Sequence, residues 1–155
     1  YLGELAVQAR DPRAVIVRTS RLYGPPATSA NAKRSFVEIV LDLATSSPSF
    51  AINREEVSSP TLVDDLAAHL DAHILANPTI APGIYHMANV GGCTWEEWAR
   101  AIVVAKGLTA TVTPRDPAEL KRPVRRPAYS VLRSTKLPAM RPWEEALRDF
   151  LCRSK

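Results

Sequence analysis

The chain has 155 residues, 46% hydrophobic and 23% charged, with a formal net charge of +4 at pH 7. One domain's worth of chain with that balance, able to bury roughly 68–70% of its unfolded surface, is neither disordered nor collagen-like. No apolar run approaches the roughly 18–20 residues of a membrane span. Two cysteines far apart, Cys93 and Cys152, argue against a disulfide scaffold or a cysteine zinc site and for a reducing cytoplasm.

The chain opens on Leu2, Leu5, Ala6 and Ala9 at helical spacing with no capping residue before them, so a chain cut in the middle of an element is expected. Asp11-Pro12 ends this helix. Ala14–Val17 is a β-branched run without polar alternation, as in a parallel strand buried on both faces. Arg18 to Ala32 reads as a loop, broken at Gly24-Pro25-Pro26. Phe36, Ile39, Val40 and Leu43 mark the face of a helix that ends near Ser46-Ser47-Pro48. Thr61 and Asp64, at capping-box spacing, predict a further helix with a Leu62, Leu66, Leu70, Ile74 stripe, stopped at Asn77-Pro78.

Gly83–Ala88 is the next expected strand. Thr94 and Glu97 form a full capping box for a helix buried through Trp95, Trp98, Ala99 and Ile102 and closed at Lys106-Gly107. Ala110–Thr113 predicts a short strand. From Pro114 to Pro142 the chain is proline-rich and basic. A last helix starts at Pro142 and turns Trp143, Ala146, Leu147, Phe150 and Leu151 to one side. Strand–helix alternation makes the fold α/β.

Several chemistries are excluded. Gly91-Gly92 is the sole close glycine pair, so a G-x-G-x-x-G dinucleotide cradle, a P-loop and a G-x-S-x-G elbow are all absent. Asp65, His69 and His73 could share one helix face, but His69 is followed by Leu70 rather than the H-E-x-x-H glutamate. They read as a solvated flank, and no metal site is expected. His86 reads as a packed or hydrogen-bonded strand histidine.

Between Arg115 and Arg141 there are eight basic residues, opposed by Asp116 and Glu119. Prolines forbid a continuous basic helix there, leaving a phosphate-binding loop, a solvated basic loop, or a nucleic-acid or membrane contact. Thr19, Ser20 and Arg21 follow a parallel strand, where ligands of open α/β sheets bind. A turn that stabilises only itself is the other reading of that loop.

Five segments together carry a resemblance: VIVRTSRLYG at Val15–Gly24, SSPTLVDDLA at Ser58–Ala67, GIYHMANVGGCTWEEWA at Gly83–Ala99, RRPAYSVL at Arg125–Leu132 and RPWEEALRDFL at Arg141–Leu151. In this order and spacing the chain resembles the C-terminal half of the dTDP-4-dehydrorhamnose reductase family, extended short-chain dehydrogenase/reductases of the NAD-dependent epimerase/dehydratase superfamily. The implied fold is the C-terminal part of an extended Rossmann-like reductase, a few sheet strands plus a small mixed α/β substrate-binding domain. Residues 1–155 are then one substrate-binding unit, with the cofactor-binding half expected upstream of residue 1. The implied activity of the complete protein is reduction of dTDP-4-dehydro-6-deoxy-L-mannose to dTDP-L-rhamnose with NADPH or NADH. The family's catalytic Tyr-x-x-x-Lys is not in this chain, because Tyr1, Tyr23, Tyr85 and Tyr129 are followed four positions on by Leu5, Ala27, Asn89 and Arg133.

Carried over by position, the resemblance places Thr19 and Ser20 near the nicotinamide and the reacting sugar, and Arg21, Ser59 and Arg126 on the substrate. Arg21 stands where the family commonly has a tryptophan against the sugar, and Glu56 and Ser58 replace a commoner Gln and Gly. Arg126 matches an arginine that approaches the nucleotide diphosphate in related epimerases. The expected partners are a dTDP-linked sugar, the missing N-terminal half, and a second copy through the open edge of the Ala14–Val17 strand. Nucleic acid and membrane are not expected. Alone, the chain is expected to be inactive and to hold no cofactor tightly. A non-catalytic binding or regulatory subunit of the same fold, or a sugar-nucleotide epimerase or dehydratase, are the alternatives.

Overall fold

The computed structural model describes residues 1–26, 28–29, 33–115, 124 and 126–153. Five helices and six short strands alternate along them, and every strand pair is parallel. Helix α1 (Leu2–Arg10) has Glu4 in its first turn and Arg10 in its last, each at the end of the helix dipole that favours its charge. Its Tyr1 N-cap makes no side-chain cap, as its sequence predicts, and none of its residues is buried. Leu2 is 80% exposed.

Strand β1 (Val15–Arg18) pairs with β5 (Gly83–His86), from Val15 opposite Gly83 to Arg18 opposite His86. Among the described residues β5 is its one strand neighbour, and all four β1 residues are half-buried. The expectation of a strand buried on both faces is therefore corrected. A two-stranded ribbon has too little sheet around it to cover both faces.

The 18–32 segment is not only a loop, because it contains β2 (Leu22–Tyr23), which pairs with β4 (Thr61–Leu62). That pairing overturns the predicted Thr61–Asp64 cap. Thr61 is hydrogen-bonded into the ladder through its N–H to the Arg21 carbonyl at 3.1 Å. Helix α3 (Val63–Leu70) starts at Val63, with Leu62 as an N-cap that makes no side-chain cap. Leu62 is fully buried from the strand, whereas none of the α3 residues is buried. The Leu66, Leu70, Ile74 stripe is thus half-buried flank rather than core. Helix α3 runs on into a π-helical turn, Asp71–Leu75, and ends before Asn77-Pro78.

Helix α2 (Phe36–Ser46) is capped by a reciprocal Ser35–Glu38 box, a signal its own sequence carries. It buries Val37 and Val40, while Ile39 is 40% exposed, so the buried stripe is rotated from the predicted one. Strand β3 (Ser49–Ile52), also unpredicted, pairs with β6 (Thr111–Pro114). Helix α4 (Trp95–Ala105) carries the predicted Thr94–Glu97 box, and Gly107 beyond it has φ +63°, which glycine adopts without strain. Helix α5 (Trp143–Arg153) buries all five residues of its predicted face.

The core lies between α2, α4 and α5 and is floored by β2, β4 and β6, with Tyr23, Trp98, Ile102 and Leu147 among its members. One polar network ties its elements together. Fully buried Asn89 accepts from the Leu62 N–H at 2.9 Å and donates to Asp65 Oδ2 at 2.8 Å and the Arg141 carbonyl at 3.1 Å. Arg141 grips Asp65 through Nε and Nη2, each at 2.8 Å, and Asp149 of α5 through Nη1. No helix among the described residues is long and apolar enough to cross a membrane.

Candidate functional site

Parallel pairing sends the backbone out of β1 at Arg18 and straight into Thr19-Ser20-Arg21. Arg18 is held by both oxygens of Glu4, each at 2.6 Å, and its Nη1 lies 3.4 Å from His86 Nε2. His86 Nδ1 is 3.3 Å from the Arg133 carbonyl, so this is the hydrogen-bonded strand histidine its sequence predicts. The buried Thr19 hydroxyl has no hydrogen-bond partner among the described residues. Arg21 then adopts φ +40°, a left-handed conformation that costs a residue with a Cβ about 1–2 kcal/mol.

The Arg21 guanidinium is pinned in the interior. Nη1 donates to the Cys93 carbonyl at 2.8 Å and Nη2 to the Glu56 carbonyl at 2.6 Å. Its Cζ sits 3.9 Å from the centroid of the Trp95 ring. Burial pulls its pKa below the ordinary arginine value, but the neighbouring Cys93 and Glu56 partly offset this.

Glu56 is the hinge of the cluster. Its Oε2 accepts from Trp95 Nε1 at 3.4 Å and lies 3.7 Å from Arg126 Nη1, and its Oε1 accepts from Asn53 at 3.4 Å. Arg126 reaches it because the returning chain is strapped to the same segment. Val57 N–H donates to the Ala128 carbonyl at 2.9 Å, and Ser130 N–H donates to the Val57 carbonyl at 2.8 Å. On the other side Ser58 and Cys93 exchange two backbone hydrogen bonds at 3.1 Å, which brings the start of α4 alongside.

Beside this cluster a cavity of about 390 Å³ opens between β2 and the N-terminal ends of α2 and α4. Tyr23, Phe36, Trp95 and Trp98 wall it, with Arg21, Lys33 and Arg34 as lining cations and Glu38 as a lining anion. The rings pack edge to face, Phe36 to Trp95 at 4.7 Å and Tyr23 to Trp98 at 5.4 Å between centroids. Trp98 Nε1 and the Tyr23 hydroxyl are buried and unpaired among the described residues. An aromatic wall with cations along it suits a ligand that joins a flat or apolar part to an anionic one.

Of the residues the sequence singles out, the structure brings Arg21 and Arg126 together around Glu56, with Thr19 and Ser20 on the turn just before. Ser59 is fully buried, its hydroxyl unpaired among the described residues and its carbonyl 3.4 Å from Thr61 Oγ1. The basic loop is not uniformly free. Arg141 is committed to Asp65 and Asp149, while Lys136 donates to the Ile84 carbonyl at 2.9 Å. Lys121, Arg122 and Arg125, with Asp116 and Glu119, lie outside the described residues. The roles of Glu56, Trp95 and Asn89 were not legible in the sequence, because they come from partners 24 to 74 positions away, beyond any local pattern.

Residues 1–155 match the RmlD substrate binding domain along their whole length. The chain is 35% identical to the spore coat polysaccharide biosynthesis protein SpsK of Bacillus subtilis, covering 97% of this chain and 51% of that protein. It is 34% identical to the dTDP-4-dehydrorhamnose reductase of Mycolicibacterium smegmatis, covering 95% and 45%. The crystal structure of dTDP-4-dehydrorhamnose reductase from Bacillus anthracis in complex with NADP superposes with a TM-score of 0.84 at 28% identity, covering 100% of this chain and 53% of that one. The chain spans about half the length of the curated relatives it matches. Its helices and parallel strand pairs are those of the C-terminal part of such Rossmann-like reductases. The chain belongs to the RmlD substrate binding domain family.

Proposed function

We propose that this chain is the substrate-binding portion of a cytoplasmic nucleotide-sugar reductase that converts dTDP-4-dehydro-6-deoxy-L-mannose to dTDP-L-rhamnose. The observation that carries the reading is the match of residues 1–155 to a substrate-binding domain whose relatives include dTDP-4-dehydrorhamnose reductases. Arg126 fits the anionic diphosphate, Arg21 on the Trp95 ring fits the wall against the sugar, and the aromatic cavity beside them fits the rest of a nucleotide sugar. The unpaired Thr19 and Ser59 hydroxyls suit polar groups of cofactor and substrate, with Ser20 beside Thr19 on the cofactor side.

The nicotinamide cofactor, NADPH or NADH, supplies the hydride when bound. This chain holds neither a glycine cradle for its phosphates nor a Tyr-x-x-x-Lys to donate the proton. Its own share of the work is to bind the sugar nucleotide and orient the keto carbon, turning binding energy at the phosphates into position. The cofactor-binding half is a second polypeptide segment, and the chain by itself transfers no hydride.

Calorimetric titration of dTDP into the chain tests the binding reading. Saturable binding that weakens about tenfold or more in Arg126→Ala supports it, whereas equal affinity in the two proteins counts against it. Supplying 4-keto sugar with each cofactor to the chain alone, and to a protein joining it to a cofactor-binding half, tests the division of labour. Product analysis of the second reaction separates a reductase from an epimerase or dehydratase.

A further inference from the structure

Behind α3, on a face that the reading above leaves unused, a pocket of about 330 Å³ is lined by His69, His73, Met140, Asp65 and Arg141. Ala68 and Ala72, also in its lining, leave space where longer side chains would fill it. The two imidazoles lie 4.3 Å apart between centroids, tilted by 60°. His69 Nε2 is buried with no hydrogen-bond partner among the described residues. Such an orphan is uncommon in a folded protein and calls for an explanation, an ion among them. His73 sits in the π-helical turn Asp71–Leu75, a geometry concentrated at functional sites.

The donor set is specific in its chemistry. In the sequence Asp65 offers itself as the third ligand, but both of its oxygens accept hydrogen bonds from Arg141, and Oδ2 accepts another from Asn89. The other lining residue that carries a metal-binding atom is Met140, 8% exposed, whose side chain ends in a thioether. Two imidazoles and a thioether are neutral and mostly soft ligands. Thioether selects Cu(I), and imidazole suits copper as well as zinc. The Arg141 guanidinium in the same wall repels a dication more than a monocation. Hard, oxygen-seeking ions find no uncommitted carboxylate here.

We propose that His69, His73 and Met140 form a binding site for a monovalent copper ion on the face of α3 that packs toward the Ala139–Arg141 segment. Binding alone is meant; no change in the oxidation state of the metal is involved.

The test is an anaerobic titration of the full chain with Cu(I), read as its withdrawal from the coloured bathocuproine disulfonate complex. A Cys152→Ser background removes the exposed thiol, which would otherwise bind copper on its own account. One Cu(I) per chain is expected, held at least about tenfold more weakly in His73→Gln and in Met140→Leu. X-ray absorption of the bound copper should show a sulfur neighbour that disappears in Met140→Leu. Copper left entirely with the competitor in the Cys152→Ser chain overturns the proposal, as does an affinity unchanged in His73→Gln. His73→Gln alters a half-buried side chain with no role in the core, so its result stands even where Met140→Leu fails to fold.

Discussion

The Arg21 guanidinium stacks 3.9 Å from the centroid of the Trp95 ring while its two terminal nitrogens donate to the carbonyls of Cys93 and Glu56. One side chain thus joins the turn after β1, the segment before β4 and the start of α4. Arg21→Ala should cost about 2–4 kcal/mol, from two charge-assisted hydrogen bonds and a cation–π contact. Arg21→Gly should cost about 1 kcal/mol less than Arg21→Ala, because glycine relieves the φ of +40°. Urea midpoints of the two variants check both the size and the order.

Asn89 and Asp65 predict opposite pH dependences. Burial pushes the Asp65 carboxyl up, but hydrogen bonds from Arg141 and Asn89 outweigh it and hold the carboxyl below its usual value. A depressed pKa stabilises the fold above the unfolded value of about 3.9, and that contribution fades as pH falls through the folded value. Asn89→Asp puts a second carboxylate against Asp65 Oδ2 in a fully buried position, so its pKa should rise. Its penalty should therefore be small in acid and grow as pH rises toward neutrality. Melting temperatures of both proteins between pH 4 and about 8 should diverge with increasing pH, and parallel curves would refute the argument.

Gly92 sits where a Cβ would overlap Val131 Cγ2 and touch Val57 Cγ1 at 3.4 Å. Valine is stiff at χ1 and cannot swing aside, so Gly92→Ala should destabilise by about 1–3 kcal/mol. It should also loosen the strap that carries Arg126. Val131→Ala makes room, and the double variant should be more stable than the sum of the single penalties implies. A double-mutant cycle on denaturant midpoints measures the coupling.

The two cysteines should react very differently. Burial pushes the Cys93 thiol up to about 12, despite the Arg21 charge, and the side chain is 2% exposed. Cys152 is exposed. Under native conditions at pH 8, a maleimide should label one thiol per chain quickly, and Cys152→Ser should abolish that phase. Mass spectrometry of the labelled protein reads the outcome directly.

Elements whose signals are local were legible in the sequence. The Thr94–Glu97 box, the Trp98, Ala99, Ile102 face and the α5 stripe depend on residues three or four apart, and the structure keeps them. The Ser35–Glu38 box carried the same signal and was open to the same reading. Strands β2 and β3 were not, because runs of two or four residues hold too little periodicity to stand out from a loop. Thr61 shows the competition most plainly. Its spacing to Asp64 suits a helix cap, but pairing with β2 wins, because the backbone hydrogen bonds of the ladder form only when a distant strand arrives.

By itself the sequence determined the α/β class, the five helices, the buried faces of α4 and α5, the absence of a dinucleotide cradle and a Tyr-x-x-x-Lys, and the family resemblance. The tertiary structure alone decided which charges remain available. It commits Asp65 and Arg141 to each other, seats Arg21 on Trp95, and brings Arg126 to Glu56 across 70 positions. Local patterning follows from the period of a helix or strand, which the chain carries within itself. The state of a charged side chain depends on which distant group desolvates or pairs with it, and that is settled only when the elements pack.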